Sequence, residues 1–332
     1  MRPFYYTAGL ILSLFSYLVV PAQVPLFSSE EIITIKLIFD MERVTQDVGE
    51  DRKAHEAMLI ETNPEGKEVS SRLEISVRGN FRRQSQTCGF PPLKLDFFRK
   101  KDPPKGVFEG QNKLKLVTHC EDGEHVLREY LVYKLYNLIS PYSFKVRLAR
   151  VTYQDARGIL PLVEEYAFLI EDDKDLAKRI GGVDVRQDTV LPTEANRDAL
   201  TTLYVFQCMI GNLDWDLGLV KNIKAIDMGE EIPPIIVPYD FDFSKLVNAP
   251  YTFPYVGGLE RQVFRGICRS EEEVEKVWTY FQTQKKPVLD LYKKFDLLDP
   301  LYRKECIGTL KAFYKNIKNL DEVQANFSEF CL

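Results

Sequence analysis

Short runs of alternating apolar and polar residues fill much of the first half of the chain. In the second half the apolar residues recur at helical spacing. Residues 32–40 alternate well enough for a strand. Residues 72–78 (RLEISVR) keep a cleaner period of two, with Leu73, Ile75 and Val77 on one face, and stop at the turn signal Gly79-Asn80. Residues 93–97 and 113–117 predict two more strands, with Pro103-Pro104 in the connection between them. Residues 126–139 predict a helix with Leu127, Tyr130, Leu131, Leu135 and Leu138 on its stripe, ended by Pro141. Residues 145–153 and 160–170 then predict a hairpin across Gly158. Residues 176–182 form a short amphipathic segment closed by two glycines. The next helix carries Ala199, Leu203, Phe206 and Ile210, with Thr193 as its predicted cap and Gly211 as its stop. Residues 271–295, interrupted at Pro287, and 301–320 are the last helical stretches. The pattern predicts an α+β chain, sheet-rich over 23–165 and helical over 166–332.

Composition adds little to the fold and more to the setting. The 332 residues carry a net charge of −5, with both signs dispersed, which argues against nucleic acid as a partner. Arg2 followed by the apolar run 10–20 (LILSLFSYLVV) and small residues near Ala22 predicts a signal peptide over 1–22. That run is short for a bilayer span, and no later segment is longer and apolar. The mature chain is therefore expected to be exported without a membrane span, to a periplasmic or extracellular compartment. There the six cysteines can pair, and Cys88 with Cys120 is the preferred bridge because both flank strands of one sheet. Cys208, on an apolar helix, reads as a buried thiol. There is no CxxC pair to hold zinc.

The candidate chemistry lies in two acidic motifs. Gly211-Asn212-Leu213-Asp214-Trp215-Asp216 is followed by Lys221-Asn222, and Val237-Pro238-Tyr239-Asp240-Phe241-Asp242 follows a short apolar run. An Asp and an Asn on one loop, then an Asp at a strand end, is a way to hold metal-bound nucleotide. Asp214 is the candidate catalytic group, orienting a hydroxyl nucleophile, with Asp216 as the alternative. Asn222, Asp240 and Asp242 are candidate ligands of magnesium or manganese, since hard oxygen donors suit those ions. Asp242 is expected to share a strand face with Asp240 by period two. Lys94 and Lys115 compete as the phosphate-binding lysine, Glu129 is the candidate partner, and Arg78 and Asn80 can approach phosphates at their turn. Each has a plainer reading: a turn-capping Asp, an Asx turn, a solvated strand charge. His119 beside Cys120 reads as structural, and no G-x-S-x-G nucleophile is present.

In order and spacing these elements resemble the CotH family of secreted, atypical protein kinases. The resemblance rests on Arg78-Gly79-Asn80, Pro92-Leu93-Lys94-Leu95, Lys113-Leu114-Lys115-Leu116, Leu127-Arg128-Glu129, Gly211 to Trp215, Asn222 and Pro238 to Asp242, and spans roughly residues 70–250. It implies a protein-kinase-like two-lobed fold, ATP with a divalent metal, and transfer to Ser or Thr hydroxyls of a protein substrate. Two departures stand out. Asn222 lies eight residues after Asp214, where protein kinases use five, and Phe241 is followed by Asp242 instead of glycine. An inactive binding or assembly protein of the cell envelope and a metal-dependent hydrolase are the alternatives.

Overall fold

The computed structural model describes residues 26–84, 86–98, 100, 102–185, 190, 193–252, 269–319 and 321. The expected signal segment, Cys268 and Cys331 lie outside them.

Strand β1 (Ile33–Phe39) leads through the one-and-a-half-turn helix α1 (Met41–Gln46) to β2 (His55–Thr62), β3 (Glu68–Val77), β4 (Leu93–Phe97) and β5 (Lys113–Val117). Helix α2 (Gly123–Ile139) follows, then the hairpin β6 (Val146–Asp155) and β7 (Val163–Ile170). These seven strands close into a barrel in the order β1-β2-β3-β4-β5-β7-β6. Every neighbouring pair is antiparallel except the seam, where β1 lies parallel to β6 in a register running from Ile33↔Ala149 to Phe39↔Asp155. Leu37, Leu59, Leu73, Ile75, Leu93, Leu95 and Leu116 are wholly buried inside it. Barrel closure overturns the expected protein-kinase-like two-lobed fold. The alternating runs do form strands, but the seam removes the free edge that an open N-terminal sheet would keep.

The remaining elements are α3 (Asp173–Arg179), β8 (Val183–Val185), α4 (Arg197–Ile210), β9 (Ile223–Asp227), β10 (Ile235–Pro238), α5 (Glu271–Lys293) and α6 (Pro300–Asn316). β8, β9 and β10 form a small antiparallel sheet. The helices and this sheet share a second apolar core, which includes Leu131, Leu135, Phe206, Met209, Phe241 and Phe281.

Three local expectations change. Helix α4 is capped by Asn196, whose side chain accepts from the Ala199 N–H at 3.0 Å, and not by Thr193. Pro287 does not divide α5. Val274, Val277 and Phe281 before it and Val288 and Tyr292 after it bury one face, and that packing keeps both halves in line. Strand β10 ends at Pro238, so Asp240 and Asp242 lie beyond it and the period-two argument does not apply to them. Gly211 does stop α4, at φ +64°, where an added Cβ would come within 2.8 Å of Lys245. Cys88 and Cys120 form a disulfide across 32 residues. Closing a loop of that length restricts the unfolded chain by roughly 3–4 kcal/mol.

Candidate active site

A cavity of about 720 Å³ opens at one end of the barrel. The barrel contributes Arg78 to Arg82 just past β3, Pro92 before β4, and the last residues of β5 and β7, Val117 and Ile170. Facing them are Glu129 and Tyr133 of α2, then Asp214, Val220, Lys221, Asn222, Tyr239, Asp240, Asp242 and Phe243.

Asp214 is placed by the turn that ends α4. Asn212 is buried there, donating from Nδ2 to Gln207 Oε1 at 3.1 Å. Its Oδ1 accepts the Asp214 N–H at 3.0 Å, and its carbonyl accepts the Trp215 indole N–H at 3.1 Å. The long spacing to Asn222 is absorbed by a small hairpin. Asp216 and Lys221 exchange both backbone hydrogen bonds, at 3.1 and 2.8 Å, and the Asp216 carboxylate accepts the Leu219 N–H. Lys221 and Asn222 are thereby returned onto Asp214. Lys221 Nζ pairs with Oδ1, and Asn222 Nδ2 donates to Oδ2 at 3.0 Å and to the Asp214 carbonyl at 2.6 Å. The Asp214 carboxylate is thus held by two donors. Asn222 Oδ1 accepts no hydrogen bond among the described residues.

Asp240 follows β10 in the left-handed region, at φ +63°, with its N–H donated to the Tyr133 hydroxyl at 2.9 Å. Its carboxylate has no hydrogen-bond or ion-pair partner among the described residues. Asp242 is buried and accepts from the Tyr251 hydroxyl at 3.1 Å. Burial, and then the nearby Asp240 charge, push its carboxyl up to about 7. Burial, followed by Asp242, also raises Glu129 well above the usual carboxylate range.

Arg78 lines the cavity, and its guanidinium makes no ion pair or side-chain hydrogen bond among the described residues. Lys115 points from β5 to Asp173 at 2.6 Å, between the rings of Phe144 and Tyr239. Asp173 also holds Lys224 at 2.9 Å. Burial lowers the Lys115 ammonium, although Asp173 opposes the shift. Lys94 lies on the barrel wall away from the cavity, where it and Lys113 share Asp96.

Glu129 meets neither lysine. Its partner is Arg82, at 3.6 Å, with both side chains buried. Arg82 also donates to the Thr118 carbonyl at 2.6 Å and sits over the Tyr251 ring. Burial disfavours its charge, but Tyr251, Glu129, Asp242 and Asp240 outweigh that and raise its pKa. Sequence reasoning missed Arg82, which follows the Gly79-Asn80 turn signal beside Arg83 and carries no local mark of burial. Asp173 and Lys224 also went unremarked, and no local pattern marks them.

Asp240, Asp242 and Asn222 offer only oxygen donors toward a cation. Among the described residues no group of three or more His, Cys, Asp or Glu side chains is arranged to hold a metal ion. The set suits magnesium or manganese, which take one or two carboxylates and complete their shell with phosphate and water.

No protein-family model and no curated protein matches the sequence. A solved structure described as a Helicobacter pylori proinflammatory kinase, CtkA, aligns over 72% of this chain and 95% of that one, at 10% identity and a TM-score of 0.41. A likeness that loose carries no argument about this chain.

Proposed function

We propose that the cavity binds ATP with magnesium or manganese and transfers its terminal phosphate to a hydroxyl. The observation that carries this reading is the opposition across one cavity of a cation, Arg78, and a carboxylate, Asp240, each without a side-chain partner among the described residues, beside the doubly held Asp214. Arg78 meets phosphate oxygens from the barrel side. Asp240, Asp242 and the Asn222 oxygen, which accepts no hydrogen bond among the described residues, would hold the divalent ion, and that ion would supply charge neutralisation to the phosphates. Asp214 orients the acceptor hydroxyl and takes its proton. The hydroxyl oxygen forms the new bond to phosphorus, the bond to the bridging oxygen breaks, and ADP leaves with that electron pair. The resemblance to CotH proteins extends the reading to protein Ser or Thr hydroxyls as acceptors. The Cys88–Cys120 disulfide supports an exported, periplasmic or extracellular protein. No described helix is long and apolar enough to cross a membrane.

The test is a thermal-shift titration with ATP and magnesium or manganese, comparing wild type with Asp240→Ala, followed by transfer of labelled phosphate. A ligand bound only by the folded state raises its stability, by about 2.7 kcal/mol at a hundred times Kd. The reading expects a metal-dependent shift that the variant loses. Phosphate release without a labelled protein would instead favour a metal-dependent hydrolase. No shift in folded wild type would favour a binding or assembly protein.

A further inference from the structure

Arg82 is one of the most constrained charges in the molecule, and its constraints converge on the disulfide. It leaves the barrel four residues after Arg78, is buried, and reaches two points on the chain leading into α2. One is the Thr118 carbonyl, at 2.6 Å. The other is Glu129, in the second turn of that helix. The same two chain segments are joined three more times. The Phe90 N–H donates to the Cys120 carbonyl at 3.3 Å, the Thr118 hydroxyl donates to the Phe90 carbonyl at 3.2 Å, and Cys88 is bonded to Cys120. Cys120 itself adopts φ +59°, a backbone conformation that an L residue keeps only when its surroundings enforce it. Besides Glu129, the Asp242 and Asp240 charges also act on this arginine.

We propose that Arg82 is a positioning residue for the metal-nucleotide cavity and that the Cys88–Cys120 disulfide holds it against Glu129, so that ligand binding depends on that bridge being oxidised. Arg82 lines the cavity beside Asp240 and Asp242 and offsets their charge. A lysine could reach Glu129 or the Thr118 carbonyl but lacks the fork that serves both. Breaking the bridge frees the Arg82 segment from the start of α2, and Glu129 loses its fixed counter-charge. The inference rests on the proposed nucleotide site.

The experiment measures binding of magnesium with a non-hydrolysable ATP analogue to oxidised wild type, Arg82→Ala, Arg82→Lys and the pair Cys88→Ser/Cys120→Ser, each alone and with reductant. Dithiothreitol cleaves the disulfide to two thiols, each sulfur gaining one electron and one proton, and becomes its own cyclic disulfide. Thiol titration verifies the reduction, and circular dichroism verifies that each form is folded. We expect at least a tenfold weaker affinity on reduction, a similar loss in Arg82→Ala, partial recovery in Arg82→Lys, and no further loss when Arg82→Ala is reduced. Equal, additive losses in wild type and Arg82→Ala would overturn the coupling, as would tight binding by the folded serine pair. Oxidised wild type that binds no nucleotide would defeat the functional reading instead. In that case amide hydrogen exchange decides the clamp. It predicts faster exchange around Thr118 to Glu129 on reduction of wild type but not of Arg82→Ala, and unchanged exchange would overturn it.

Discussion

The barrel interior and the cavity floor are both closed to water, yet they are built from opposite materials. Leu37, Leu59, Leu73, Leu93 and Leu95 fill most of the barrel, and buried charges on its strands, such as Glu61 and Arg147, are few beside them. Burying each contributes about 1.5–3 kcal/mol. The floor instead buries Arg82, Glu129 and Asp242 together. Taking such groups out of water costs several kcal/mol per ion, and their mutual attraction recovers that only in good geometry. The difference shows where stability is generated and where it is spent on holding charges in readiness for a ligand.

The strongest way to break this contrast is to empty the barrel. Leu95→Ala should lower stability by about 2–5 kcal/mol, measured by urea denaturation, with analogue affinity of the folded protein unchanged. A loss below about 1 kcal/mol would mean that the barrel does not carry the fold.

Acidity probes the floor in the absence of metal. The raised Asp242 carboxyl, at about 7, lets the native state keep a proton that the unfolded chain releases near 3.8. Its effect is to weaken the fold as pH rises through that window. His119 does the reverse. Burial, and then Arg82, lower its pKa to about 4, so the unfolded chain gains a proton first and stability is lost as pH falls from 6.5 toward 4. Between pH 4 and 6.5 the two oppose each other. Asp242→Asn should therefore steepen the loss of stability on acidification, by up to about 1.4 kcal/mol per pH unit. His119→Gln should flatten or invert it. Parallel pH–stability curves for wild type and both variants would remove these two groups from the account.

The two lysines supply the finest comparison. Lys115→Ala should cost about 1–3 kcal/mol, because it removes a charge-assisted bond to Asp173, which keeps only Lys224. Lys94→Ala, losing an exposed pair with Asp96, should change stability by less than about 0.5 kcal/mol and leave the ATP-dependent thermal shift intact. Equal effects would show that the aromatic and acidic cage around Lys115 confers nothing.

The sequence was most readable where a local rule governs. Leu73, Ile75 and Val77 announce β3 by alternation, and Gly211 announces the end of α4. The Cys88–Cys120 bridge was also legible from the strands that flank it. Barrel closure was not, because the β1–β6 seam is set by residues far apart in the chain, and β2 (HEAMLIET) offers only a partial alternation. Of the site candidates, Arg78, Asn80, Glu129, Asp214, Asn222, Asp240 and Asp242 line one cavity, whereas Lys94 and Lys115 do not. Arg82 was hidden because its burial comes from the Cys88–Cys120 and Thr118 segments folding over it. A basic dipeptide after a turn looks the same whether it faces solvent or carboxylates.

The parallel seam also sets a schedule for the growing chain. Ile33 pairs with Ala149, 116 positions later. At roughly 5–20 residues per second, synthesis leaves β1 waiting about 6–23 s for its second partner. Throughout that interval ITIKLIF presents one unpaired edge, with isoleucine and leucine prominent in it. Such an edge is a template for pairing with another chain. Lys36 is the lone charge within it, and during synthesis it is the strand's own guard against joining the wrong neighbour.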